Sequence, residues 1–209
     1  MNKKELEYDY VGQFSEGLCT VQKDEKYGII DKDNEIVIPF EYDWVGQFKD
    51  GLCRVKKDDK WGVISRSNEV VIPYEYDNIG LFSEGICTVQ KDAKWGAINK
   101  SNEVVIPLEY DTIGLFNEGL CRVQKDGKYG AINKDNEVVI PLEYDVIDQF
   151  NDGLCPVVKD GKYGAINKNN EIVIPIEYDW VGSFKEGLCT VQKDDKWGFI
   201  NKFDVIVNH

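Results

Sequence analysis

The most reactive side chains in this 209-residue chain are its six cysteines, and they stand on one spacing. Cys19, Cys53, Cys87, Cys121, Cys155 and Cys189 lie 34 residues apart, each inside Gly-Leu-Cys or Gly-Ile-Cys. Thiols at a fixed interval raise three kinds of chemistry: metal ligation, disulfide formation and nucleophilic attack. A zinc centre needs closely paired Cys and His ligands. Here there is no C-x-x-C pair, and the one histidine is His209. A disulfide needs Cα atoms about 5.5–6 Å apart, and equivalent positions of successive repeats are spaced beyond that reach. A nucleophile needs a base beside it, and His209 assembles neither a Ser-His-Asp nor a Cys-His set. The cysteines therefore read as small buried hydrophobes.

The other chemistry-bearing column is an aspartate that follows tyrosine, as at Asp43 and Asp77. One calcium ion per repeat is the reading weighed for it, but no dense D-x-D-x-D loop supports such a site. The framework reading, in which each unit needs the same packing and the same turn, is preferred. Phosphate loops of the GxxxxGK[ST] and GxGxxG kinds are absent. The expectation is no enzyme, no catalytic residues, no cofactor and no metal.

What positions these residues is the repeat itself. Tyr8, Tyr42, Tyr76, Tyr110, Tyr144 and Tyr178 form one column, and Gly28, Gly62, Gly96, Gly130, Gly164 and Gly198 another. A period of 34 residues defines a repeat architecture. It is also the period of helix-pair repeats. Here each full unit carries a proline and recurring glycines, which break helices, and short β-branched runs such as Glu103-Val104-Val105-Ile106-Pro107.

The fourth unit predicts strands over 120–125, 128–133 and 137–141, with a short fourth strand in the Tyr-Asp stretch that follows. Asp126-Gly127 and Asp160-Gly161 suit tight hairpins. The turns without glycine, such as Asp92-Ala93, are expected to be looser. The recurring Asn of the next turn, as at Asn68 and Asn136, tolerates left-handed backbone. Consecutive apolar residues in Val-Val-Ile-Pro and Trp-Gly-Ala-Ile predict a meander covered on both faces. Pro156, in a column otherwise Thr or Arg, predicts an edge strand there.

The chain carries no linker or composition shift and reads as a single domain, 1–209, with repeats starting near 8, 42, 76, 110, 144 and 178. The fold class is all-β, six tandem β-meander repeats. A six-bladed propeller-like ring is favoured, and an open twisted β array or solenoid is the close alternative.

Lys60-Trp61-Gly62, Lys94-Trp95-Gly96 and Lys196-Trp197-Gly198, with Lys-Tyr-Gly in the other three copies, resemble the WG-containing (KWG) β-repeat family. The flanking Phe-x-[Glu/Asp]-Gly-Leu and Val-Ile-Pro-x-Glu-Tyr-Asp are similar to it too. The resemblance covers about residues 7–203. It implies a bacterial β-rich repeat protein, with no defined catalytic residues and no ligand.

Positions where the copies differ carry what functional information remains. After Tyr-Asp the column reads Tyr10, Trp44, Asn78, Thr112, Val146, Trp180. Its aromatics fall in repeats six, one and two, which are neighbours if the chain closes on itself. Tyr10, Trp44 and Trp180 would then form one aromatic sector, the kind of anchor that dominates binding surfaces. Duplication history is the competing account of the same pattern.

A net charge of −13 repels phosphates and anionic lipid, so neither nucleic acid nor a membrane is expected as partner. No apolar stretch follows the first lysines, and no run approaches the ~20 residues of a membrane span, so the expected compartment is the cytoplasm. The functional expectation is a non-catalytic binding or scaffold module for a protein partner. The alternative is a carbohydrate- or small-ligand-binding repeat protein.

Overall fold

The computed structural model describes residues 8–83 and 85–201. His209, the closing stretch 202–209 and the lead-in before Tyr8 lie outside the described residues. In the first repeat, β1 (Tyr10–Val11), β2 (Leu18–Lys23), β3 (Lys26–Asp31) and β4 (Ile36–Tyr42) pair consecutively and antiparallel. Repeats two to five repeat this sheet, and the sixth supplies the counterparts of β1, β2 and β3 among the described residues. The described residues contain no helix. The fold class expected from the repeat, all-β with one meander per 34 residues, is the one observed.

The chain packs as two compact units, one of Met1–Ala93 with Ala97–Val104 and one of Lys94–Gly96 with Val105–His209. In the first, Ile29, Ile38 and Tyr42 pack with Val45, Phe48, Cys53, Val55 and Ile64, so the core lies between the sheets of repeats one and two. In the second, Leu120, Ile140 and Tyr144 pack with Ile147, Cys155 and Ile166, and Leu154, Ala165 and Ile174 with Val181, Phe184 and Cys189. Each cluster joins successive repeats, because each sheet must cover its apolar face with the next.

Strand bounds follow the sequence reading for Leu120–Lys125 and nearly so for Lys128–Ile132. The third predicted strand is longer. It runs Val138–Tyr144, straight through Pro141. Proline is tolerated there because this strand, like β4, lies at the edge of its sheet and has one side free of the ladder.

Three expectations are corrected. The strand holding Pro156, Leu154–Lys159, is not an edge: it lies between Val146–Ile147 and Lys162–Asn167. The short strand pairs only at Val157 and Val158, so Pro156 sits just past its end, at a local edge. Its carbonyl still accepts from the Asp148 N–H at 3.0 Å.

The covered-on-both-faces reading holds for β3, where Gly28, Ile29 and Ile30 are all buried, but not for β4. Its first residue is exposed, as are Val70, Val104, Val138 and Ile172, while the third is buried.

Nor are the turns without glycine looser. All have the same two-residue loop, with Lys23 opposite Lys26 and Lys57 opposite Lys60 as Lys125 is opposite Lys128. Both loop residues take positive φ: 52° and 62° at Asp92 and Ala93, 52° and 77° at Asp126 and Gly127. The preceding Tyr-Asp carboxylate holds the loop, accepting from the Asp24, Asp92 and Asp126 N–H groups at 2.9, 2.8 and 2.8 Å. Left-handed backbone costs a non-glycine residue about 1 kcal/mol, partly offset when glycine's extra freedom in the unfolded chain is counted. Ala93→Gly is expected to stabilise the protein by about 0.5 kcal/mol and Gly127→Ala to destabilise it by about the same amount. Shifts of opposite sign in the urea midpoint would show this.

Glu-Tyr-Asp at the end of each β4 equivalent connects one repeat to the next. Tyr42 Oη donates to Asn68 Oδ1 at 2.8 Å, and Tyr144 Oη to Asn170 Oδ1 at 2.8 Å. Lys57 Nζ donates to Glu41 Oε2 at 2.6 Å, and Lys125 Nζ to Glu109 Oε2 at 2.7 Å. Lys26 Nζ donates to Asp43 Oδ1, and Lys162 Nζ to Asp179 Oδ1 at 2.7 Å. The lysine ammonium groups hold the Asp43, Asp111 and Asp179 carboxyls below the usual carboxylate range. Asp77, Asp111, Asp145 and Asp179 each give one oxygen to a lysine and the other to a turn N–H.

Candidate binding cavity of the first unit

The cysteine column is structural. All six thiols are buried and free, and each donates to a backbone carbonyl, as Cys53 Sγ does to Gly46 O at 3.4 Å. Burial pushes Cys53, Cys87 and Cys121 up to about 12, so at neutral pH they carry no thiolate to act as nucleophile or metal ligand.

The aromatic column behaves differently. Tyr10, Trp44 and Trp180 open the short first strand of their repeats. Residues two apart on a strand share a face, and a glycine stands two places on in each: Gly12, Gly46 and Gly182. At Gly46 a Cβ would lie 3.0 Å from the Trp44 ring and 3.3 Å from Arg54 O. The missing side chain makes room for the indole. Across the sheet each ring meets the aromatic of the Trp-Gly or Tyr-Gly pair. Tyr10 and Tyr27 have centroids 6.3 Å apart, Trp44 and Trp61 5.1 Å, and Trp180 and Trp197 5.5 Å.

Tyr10 and Trp44 line one cavity of about 560 Å³, wholly within the first unit. Tyr27, Phe48 and Leu81 add apolar wall. Gln13, Gln47, Lys49 and Arg54 add polar groups. The Arg54 guanidinium lies 5.9 Å from the Trp44 ring centroid and donates through Nη1 to Ile79 O at 3.0 Å. Thr20 Oγ1 donates to Gly46 O at 3.3 Å, tying the first repeat to the second along the cavity wall. Trp180 belongs to the second unit, where it is 37% exposed against an even more open Trp197.

Sequence reading found Tyr10 and Trp44 through column variation. It missed Arg54, although Arg54 stands in the very column read for its proline. It also missed the glycines, although Tyr-Val-Gly and Trp-Val-Gly were there to be seen at 10–12, 44–46 and 180–182.

Comparison with known proteins places the chain. No curated protein matches it. Among solved structures it is similar to Hsv2 of Kluyveromyces lactis, at 7% identity over 90% of this chain and 70% of that one, with a TM-score of 0.46. It is similar also to the CNH domain of AfRom2, at 8% identity over 97% and 84%, with a TM-score of 0.43. The N-terminal domain of Nup159 matches at 7% identity over 93% and 74%, with a TM-score of 0.44. The family profile described as "WG containing repeat" matches six tandem segments, 4–27, 27–61, 61–95, 95–129, 129–163 and 163–197. Its frames break on the column of Tyr27, Trp61, Trp95, Tyr129, Tyr163 and Trp197, the aromatic of each Trp-Gly or Tyr-Gly pair. With matches running almost end to end, this chain belongs to the WG-containing repeat family.

Proposed function

We propose that the chain is a non-catalytic binding or scaffold module whose working surface is the cavity between Tyr10 and Trp44. The observation that carries this is the convergence of those two rings on one concavity of about 560 Å³. That volume is in the range of ordinary ligand sites, roughly 300–1,000 Å³. Side chains with catalytic potential are committed elsewhere: the thiols are buried, and the Tyr-Asp carboxylates are held by lysines and turns. A protein partner that inserts a side chain between the rings is the first reading. A carbohydrate or other small ligand is the second, favoured by the aromatic walls of the site. Six free thiols accord with a reducing, cytoplasmic setting.

Trp44→Ala and Tyr10→Ala, singly and together, test the site by calorimetry. Affinity for a purified partner or a bound glycan is expected to fall at least tenfold, about 1.4 kcal/mol, in Trp44→Ala. Quenching of tryptophan emission by sugars selects the carbohydrate reading. A double variant that binds as tightly as the parent removes the cavity from the account.

A further inference from the structure

The cavity differs in charge from the chain around it. The protein carries a net charge of −13, yet among the described residues no Asp or Glu lines this space, and two cations do, Lys49 and Arg54. Arg54 is positioned rather than consumed. One nitrogen anchors it to Ile79 O, and its plane lies near the Trp44 ring. Repeat four provides an internal contrast. Arg122 makes the same bond, to Ile147 O at 3.1 Å, and lies 5.7 Å from the Tyr129 ring centroid. Its cavity holds only about 30 Å³ and includes Asp148. Arg122 thus shares its space with a carboxylate of the chain and has no room for another. Arg54 has a matching small space of about 30 Å³, which includes Asp50, and beside it the cavity of about 560 Å³, where no described carboxylate stands.

Taking the cavity as the binding site, as above, we propose that its ligand is a small carboxylate with a ring close beside it. The carboxylate meets the guanidinium fork of Arg54, a pairing favoured by planar two-point geometry, with Lys49 adding charge at the rim. The ring lies against Trp44 and Tyr10. Two sources share this chemistry: an acidic sugar, and the free C-terminus of a peptide ending in an aromatic residue.

Matched pairs isolate the charge. Glucuronate against glucuronamide, and N-acetyl-phenylalanine against its amide, are titrated into the full chain by calorimetry. One carboxylate is expected to bind at least about tenfold tighter than its amide, and the pair that shows this names the source. Arg54→Gln is expected to erase the preference. Lys49→Gln, at an exposed position, is expected to reduce it about threefold, and Arg122→Gln to leave it intact. Melting curves for each variant confirm folding, and Lys49→Gln keeps the test open if Arg54→Gln does not fold.

Equal binding of acid and amide, with Trp44→Ala still abolishing both, overturns the carboxylate assignment and leaves the cavity as binding site. Binding of neither pair up to about 10 mM, a free energy near −3 kcal/mol, also overturns it. The cavity itself is then judged by the Tyr10 and Trp44 variants against a partner.

Discussion

Between pH 9 and 12 the protein is expected to unfold over a narrow interval, driven by its own thiols. Burial pushes Cys53, Cys87 and Cys121 from 9.0 up to about 12, and raises Cys19, Cys155 and Cys189 as well. Below pH 9 both folded and unfolded chains keep these protons, and the burial of the thiols contributes in full. Above it the unfolded chain releases protons that the folded chain retains, so stability falls as pH rises. Each thiol contributes a slope of about 1.4 kcal/mol per pH unit. Cys53, Cys87 and Cys121 alone together give about 4 kcal/mol per unit, enough to exhaust a typical 5–15 kcal/mol within two to three units. The tyrosine column adds to the trend, since burial raises Tyr42 and Tyr76 too. Circular dichroism from pH 8 to 12 should show a midpoint near pH 11, roughly two units above the ordinary thiol range. Cys121→Ala should flatten the slope by about 1.4 kcal/mol per unit. Thiolate absorbance that rises near pH 9 while the dichroism stays folded would refute the account.

The second large effect belongs to the glycine of Trp-Gly. Tyr27 pairs with Tyr42 but Ile29 with Ile38, so residues 39–41 bulge opposite Gly28. The same irregularity recurs opposite Gly62, Gly130 and Gly164. A Cβ on Gly130 would stand 2.4 Å from Ile140 O and 2.9 Å from Pro141 C. Both are backbone atoms of a paired strand, which cannot yield without opening the ladder. Gly130→Ala is expected to cost about 3 kcal/mol, a drop in Tm of roughly 6–12 °C. Val138→Ala, at an exposed position of the same sheet, should change stability by less than about 0.5 kcal/mol. Equal melting temperatures for the two variants would mean the bulge is not what requires glycine.

These two features mark how far the sequence could be read. Periodicity announced the repeats, and β-branched runs with punctuating turns announced strands, because both are local and recur in every copy. The Asp-Gly hairpins were legible for the same reason, but Asp92-Ala93 was misread. Its left-handed backbone comes from the length of the ladder on either side and from the carboxylate of Asp77, not from the residues in the loop. Pro156 was misread because pairing order alone does not show that the neighbouring strand is two residues long. Tyr10 and Trp44 stood out because they vary where everything else repeats. Arg54 did not, because an arginine in a column that alternates Thr and Arg looks like surface until Ile79 and Trp44 are seen beside it.

The connectors of Glu-Tyr-Asp also bear on how such a chain can change its length. Their partners lie 16, 17 and 26 positions apart along the chain, as in Lys57 to Glu41, Lys26 to Asp43 and Tyr42 to Asn68. Every span is shorter than the 34-residue period. A duplication or loss of one period, cut at any phase, therefore restores each ion pair and each tyrosine bond with an equivalent residue. An insertion that is not a whole number of periods breaks the phase of the connectors that span it. Copying in whole periods is thereby close to neutral for folding, and freshly copied repeats remain free to diverge at the positions of Tyr10 and Trp44, which take no part in these three connectors.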